Sequence, residues 1–239
     1  MTPQLNEIWV YLSASPLLGL TITLLAYQAA FWLYRRSGMN PLANPVLIAV
    51  TILVLLLTLT ATSYETYFAG AQFVHFLLGP ATVALAIPLY TQFRRVRSLL
   101  LPVVAGLVAG SLTAALSSIA IARLFGASLP TQLSLAPKSV TTPIAMGIAE
   151  RIGGIPSLTA VLVIVTGILG AVGARYIFDA MKLRDPAIRG FAIGVASHGI
   201  GTARAFQVSE QAGAFAALAM GLNGALTALL LPLVLGWMR

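Results

Sequence analysis

Six runs of this chain carry no Asp, Glu, Lys or Arg for 23 to 28 positions each: 8–34, 37–64, 66–93, 98–122, 152–174 and 211–238. About 20 apolar residues in a helix cross the hydrocarbon core of a bilayer. Each run therefore predicts a membrane-spanning helix. Charged residues make up 8% of the 239 positions, against about 25% in soluble domains. So few charges cannot clothe a water-facing surface, which excludes an ordinary soluble enzyme, a disordered chain and a nucleic-acid-binding module. The formal net charge of +8 then reports orientation, because Lys and Arg concentrate in the cytoplasmic loops of membrane proteins. With no cysteine in the chain, there is no disulfide framework and no thiolate metal site.

The first run is preceded only by Glu7 and is closed by Arg35-Arg36. A cleavable signal has its basic residues first, so this run is expected to remain as a span with its N-terminus outside. Three further charge-free runs, 124–137, 139–149 and 190–203, are too short to cross comfortably. The first two flank Ala136-Pro-Lys-Ser-Val-Thr-Thr-Pro143, and the third holds Gly190, Gly194, Ser197, His198, Gly199, Gly201 and Thr202. Pro and Gly weaken helices, and backbone freed at membrane depth must be satisfied by protein or water. These stretches are expected to be re-entrant or broken, with Pro137 and Pro143 as helix breaks. Gly79-Pro80 and Pro88 similarly interrupt the third long run.

Placing Arg35-Arg36, Arg94 to Arg97 and Arg175 to Arg189 inside gives seven spans. In that topology 124–151 enters and leaves by the outer face, 190–205 crosses outward, and the last helix returns to a cytoplasmic Arg239. The expected fold is an all-α polytopic membrane protein, one integral membrane domain over 1–239, with about seven transmembrane helices plus re-entrant or broken ones. Trp9, Trp32 and Trp237 at span ends fit interfacial aromatic belts.

An offset of 57 residues aligns Pro80 with Pro137, Val83 with Val140, Arg94 with Arg151 and Gly110 with Gly167. This suggests repeat units 42–98 and 99–155 of opposite orientation, a pattern common in transporters. Small residues recur at Gly106-xxx-Gly110, Gly190-xxx-Gly194 and Ala217-xxx-Gly221. That spacing lets helix backbones approach closely and suits a tightly packed bundle, expected to form homo-oligomers.

Lys138 is the most costly residue to place, because an ammonium at membrane depth must face a cavity or a partner. Beside Ser139, Thr141 and Thr142, at the start of a helix, it could contact an anion. The alternative is a lysine that snorkels to the interface. Ala196-Ser-His-Gly-Ile-Gly-Thr-Ala-Arg-Ala205 is the second candidate. His198 and Thr202 share a helical face, Gly199 and Gly201 permit a bend, and Arg204 could take a carboxylate bidentately. His198 could also relay a proton, or simply satisfy a carbonyl. Glu150 forms a local ion pair with Arg151 or carries protons. Asp179 and Asp185 are expected to be solvated and His75 to be structural. Asn223 either bonds across helices or lines a cavity. No triad, zinc spacing or phosphate loop is present, so neither an enzyme, a metal nor a cofactor is expected.

Four stretches in order resemble a known family: Phe76 to Tyr90 (FLLGPATVALAIPLY), Pro137 to Met146 (PKSVTTPIAM), Ala196 to Ala205 (ASHGIGTARA) and Gly213 to Asn223. They are similar to the LrgB/CidB-type antiholin-like inner-membrane proteins, including the YohK-type bacterial members. They also resemble the C-terminal region of the plastidial glycolate/glycerate translocator. The resemblance covers the chain from about residue 40. It implies a multi-pass protein of the bacterial inner membrane and a small LrgA/CidA-type membrane partner. It also implies two functions: control of murein hydrolase export and lysis, or transport of small carboxylates. A lesion in a membrane needs no Lys, His and Arg on broken helices, whereas a carboxylate does. The expected function is therefore secondary transport of glycolate, glycerate, lactate or pyruvate. Lys138 and Arg204 would hold the carboxylate. Ser139, Thr141, Ser197 and Thr202 would bind its hydroxyl or oxo group, His198 would orient the substrate or exchange a proton, and Thr142, Gly199, Gly201 and Asn223 would complete the substrate site.

Overall fold

A computed structural model describes residues 16–236, and all its regular structure is helical. Trp9, Trp237, Arg239 and the His75 side chain lie outside what is described, and with them the placement of the N-terminus. Five stretches are long and apolar enough to cross a membrane: Leu17–Arg36, Tyr64–Thr91, Leu100–Leu124, Pro156–Ala180 and Glu210–Leu235. Large apolar side chains point outward, including Leu101, Leu124, Leu169 and Leu229, while the interior is lined by Ala115, Ala145, Ala149, Ala216 and Ala219. Small residues inside and leucines outside are the arrangement of a helix bundle in lipid. The chain is an all-α multi-pass membrane protein.

Contacts divide it into two compact units, one ending at Ala84 and one beginning at Leu85. The first unit holds α1 (Pro16–Arg36), α2 (Pro45–Leu59), α3 (Tyr64–Phe76) and α4 (Leu78–Ala84). Asn44 caps α2 through the amides of Val46 and Leu47. Gly19 lets α1 meet α3, because a Cβ there would fall 2.5 Å from the Tyr67 carbonyl. Trp32 is exposed near the end of α1 with the Arg36 guanidinium over its ring. The run 66–93 is not one helix. It is divided at Leu77, Leu85 and Gln92, where turns separate short helices.

The second unit opens with two short helices, α5 (Ala86–Thr91) and α6 (Phe93–Ser98). Three long ones carry the rest: α7 (Leu100–Leu124), α10 (Pro156–Ala180) and α12 (Glu210–Gly236). At 1.5 Å per residue, a 25-residue helix is roughly 37 Å long, enough to cross. Between α7 and α10 lie α8 (Leu129–Leu135) and α9 (Thr142–Ile152). They form a re-entrant hairpin, here hairpin 1. Its first arm runs back along α7, with Ser118 Oγ bonded to the Leu135 carbonyl and Lys138 Nζ to the Ala114 carbonyl. Its second arm returns, so that the Ile155 amide donates to Ser134 Oγ at 2.7 Å. The stretch 124–151 thus enters and leaves at one end, as the basic-residue pattern predicts.

The stretch expected to cross at 190–205 does not. Helix α11 (Pro186–Val208) breaks at Ser197 and His198, whose φ/ψ are −130/16 and 40/−135. In an unbroken helix Ile193 and Gly201 would be about 12 Å apart along the axis. Here a Cβ on Gly201 would lie 2.9 Å from the Ile193 carbonyl. Ile193, Ala205, Ala212 and Ala216 accordingly share one cluster. Residues 186–196 and 199–208 are the two arms of a second hairpin, hairpin 2, inserted from the end opposite to hairpin 1. The seven-span topology loses one crossing. The end of α12 comes to lie with Ile152 through Leu235, opposite to the loop at 181–185. Sequence placed that loop and the C-terminus on one side. The folded hairpin puts the described end of α12, at Gly236, at the other end from that loop.

The second unit therefore contains one design twice, a 25-residue helix followed by a re-entrant hairpin, at 100–152 and again, inverted, at 156–208. This duplication pairs segments one unit further along the chain than the 57-residue alignment.

Candidate functional site

The hairpin tips meet at half depth. Lys138 reaches α7 near its middle, and the His198 ring lies over the middle of α10, where His198 Nε2 bonds the Val163 carbonyl at 2.9 Å. A carbonyl can only accept, so Nε2 carries the proton in this contact. Gly167 and Gly170 of α10 make the recess. A Cβ at Gly167 would strike the imidazole 2.7 Å away, and one at Gly170 would collide with Ser197 Oγ.

Asn223, the middle residue of α12, joins the tips. Its Nδ2 donates to the Ser139 carbonyl of hairpin 1 at 3.2 Å and to the Val195 carbonyl of hairpin 2 at 3.0 Å. Its Oδ1 accepts from Ser111 Oγ of α7 and from Thr227 Oγ1. Asn223 is 1% exposed, so each of these bonds is made away from water, where an unmade one is expensive. Thr202 Oγ1 takes the His198 carbonyl at 2.8 Å.

The electrostatics of this crossing are asymmetric. The carbonyls freed by the breaks at Ser139, Val195 and His198 are engaged by Asn223 and Thr202. The returning arms start here, so their N-terminal ends point into the crossing. Thr141, which precedes the α9 arm, makes no side-chain cap bond. Two helix starts and the Lys138 ammonium leave a net attraction for negative charge.

The expected ligands divide between two places. Lys138, Ser139, Ser197, His198, Thr202 and Asn223 gather at the crossing. Thr141 and Thr142 stand at its edge, Pro137 lies in the hairpin 1 tip and Pro143 in the first turn of α9. Gly201 seals the two arms of hairpin 2, while Gly199 leaves space, with Met220 Sδ 3.9 Å from an added Cβ. Arg204 is elsewhere. It lines a cavity of about 220 Å³ toward the other end of hairpin 2, with Arg175 and Arg189, and Lys138 takes no part in that cavity.

Gly79 and Pro80 sit within the short α4 of the first unit. Glu150 and Arg151 are exposed at the end of α9 and form no ion pair with each other. The Asp179 and Asp185 side chains are solvent-exposed, as expected, and are also paired. Asp179 pairs with Arg175 and Arg189, and Asp185 pairs with Arg95 at 2.7 Å while capping α11. Sequence reasoning missed Ser111, Gly167, Gly170, Arg175 and Arg189. A Ser at the middle of the apolar α7 and glycines spaced three apart in α10 are the signals that could have flagged the first three.

The family model of the LrgB-like family matches residues 23–237. The chain is 36% identical over 213 residues to the uncharacterized protein YxaC of Bacillus subtilis (strain 168), covering 89% of this chain and 92% of that one. It is 35% identical over 222 residues to YwbG of the same strain, covering 93% and 98%. It is 30% identical over 220 residues to the antiholin-like protein LrgB of Bacillus cereus (strain B4264), covering 92% and 95%. No solved structure matches. Family model and relatives span the same near-complete length, from α1 through both hairpins to α12, and the chain belongs to the LrgB-like family.

Proposed function

We propose that this protein is a secondary transporter of small monocarboxylates of the glycolate, glycerate, lactate or pyruvate class. The observation that supports this is the crossing of two oppositely inserted hairpins, where freed carbonyls are tied up and helix starts with Lys138 favour an anion. Discontinuous helices meeting at half depth are a recurrent way to hold a substrate that must be released to either side. Lys138 attracts the carboxylate, and Ser139, Thr141 and Thr142 offer hydroxyls to the adjacent oxygen. Arg204 is left to its own cavity. The protein sits in the bacterial inner membrane with the Arg95–Asp185 end cytoplasmic, which places the end of α12 outside.

Purified protein in proteoliposomes should take up labelled glycolate or pyruvate. Lys138→Gln should weaken uptake per folded molecule by about 10- to 150-fold, the loss of one charge-assisted contact. Folded, correctly inserted wild-type protein that moves neither substrate would defeat the proposal. A second reading, regulation of murein hydrolase export beside a small holin-like membrane partner, is supported more directly by the antiholin-like name of the Bacillus cereus relative. It predicts inert proteoliposomes and a change in lysis that requires the partner.

A further inference from the structure

The two hairpins are packed differently at their bases. In hairpin 1 the space is filled: Ile148 and Ile152 of the returning arm share one buried cluster with Val163 of α10 and with Leu231 and Leu235 of α12. In hairpin 2 the corresponding space is the cavity of about 220 Å³ between α10, both arms and the start of α12. A single water needs only about 10–15 Å³, so the cavity has room for several. Its walls also offer water partners. Arg175, Arg189 and Arg204 line it, and a guanidinium presents five N–H donors, more than one ion pair uses.

The Arg175 side chain, 60% exposed, marks the mouth. From Phe178 to Ala171 the cavity follows α10 inward for about 10 Å. It stops one residue short of Gly170, where Ser197 Oγ fills the place of a Cβ, and Ile193, its other inner wall, lies against Gly201. These two contacts stand between the cavity and the hairpin crossing. Ser197 Oγ is buried there with no hydrogen-bond partner among the described residues. A buried hydroxyl is normally satisfied by protein or water, so this one is left for a partner that arrives along the cavity.

We propose that the cavity is a water-filled vestibule leading from the basic end to the hairpin crossing, and that Ser197 is its gate, a hydroxyl that takes an oxygen of a small carboxylate as it passes. The inference rests on the transport reading for its substrate. One end open and the other packed shut is what alternating access requires of any single state.

Single cysteines in the full chain, reconstituted in vesicles, read both parts with an impermeant anionic methanethiosulfonate that reacts only where water reaches the thiol. Applied at the basic end, it should modify Ala171→Cys and Ala174→Cys and leave Ile148→Cys, in the packed base of hairpin 1, untouched. Ala174 is only partly buried and supplies the measurement if Ala171→Cys does not fold. Glycolate or pyruvate should slow modification of Ala171→Cys saturably, about tenfold at ten times the half-protecting concentration. Adding Ser197→Ala should raise that half-protecting concentration about fivefold, the loss of one neutral hydrogen bond, without lowering the melting temperature. Cysteines at 171 and 174 that both stay inert in folded protein, or Ile148→Cys equally reactive, would overturn the vestibule. Modification that neither acid slows, in vesicles that take the acids up, would overturn it as their route. An unchanged half-protecting concentration in Ser197→Ala would overturn the gate. Wild-type protein that takes up neither acid would defeat the transport reading instead, and cysteine reactivity alone would still decide the vestibule.

Discussion

Hairpin 1 takes residues 136–141 to reverse, with Pro137 in the turn and Pro143 opening the returning arm. Hairpin 2 reverses over Ser197 and His198 alone. The first uses proline, which removes an amide and blocks helix continuation locally. The second is packed through glycine: Gly201 lies on Ile193 of the other arm, and Gly190 and Gly194 let the first arm lie on the α12 backbone at Ala212 and Ala216. His198 itself holds a positive φ that favours glycine, and its ring is pinned to Val163. Proline writes a break into the chain. Glycine only permits one, and neighbouring helices must supply the force.

The largest expected effect is topological. The chain has no native cysteine, so Arg184→Cys and Glu210→Cys report sidedness cleanly. Both should react with an impermeant thiol reagent from the same face, and Arg123→Cys from the opposite one. Labelling of 184 and 210 from different faces would mean that hairpin 2 crosses, and the likeness of the two hairpins would be lost.

Next comes packing. Gly190→Leu has no room against the Ala212 carbonyl and should abolish recovery of folded, monodisperse protein. Gly147→Ala on the returning arm of hairpin 1 meets nothing within 4 Å. It should be neutral or stabilise by up to about 1 kcal/mol, read as a small rise in melting temperature.

Asn223→Leu tests what the hairpins share. It strips the donor from the Ser139 and Val195 carbonyls together, at about 1–3 kcal/mol for each orphaned group. Ser111→Ala, which removes one donor to Asn223, should cost less. A melting temperature unmoved by Asn223→Leu would show that the tips do not depend on this residue.

The smallest effect separates two buried serines. Ser134 of hairpin 1 accepts from the Ile155 amide and donates to the Pro130 carbonyl, both at 2.7 Å, so Ser134→Ala should cost about 1 kcal/mol. Ser197 Oγ of hairpin 2 is buried without a hydrogen-bond partner among the described residues. Ser197→Ala should leave unfolding unchanged or slightly raise its temperature.

The sequence by itself determined the solvent, the long helices α1, α7, α10 and α12, and the position of hairpin 1. Charge-free length decides insertion residue by residue, Pro137 lies in the turn of hairpin 1, and Pro143 sits where a proline can open a helix. It also marked Lys138, His198 and Asn223 as polar groups at a depth where polarity must be answered. Only the tertiary structure decided how each was answered. Hairpin 2 has 23 residues, enough to cross, and its reversal depends on Gly167 and Gly170 offering a recess on a different helix. Asn223 finds Ser139, Val195 and Ser111 at sequence separations of 84, 28 and 112, beyond the reach of any local pattern. Arg204, six residues from His198, was expected beside Lys138. The returning arm carries it toward the opposite end instead, because a re-entrant helix moves each later residue away from the tip that a crossing helix would have carried onward.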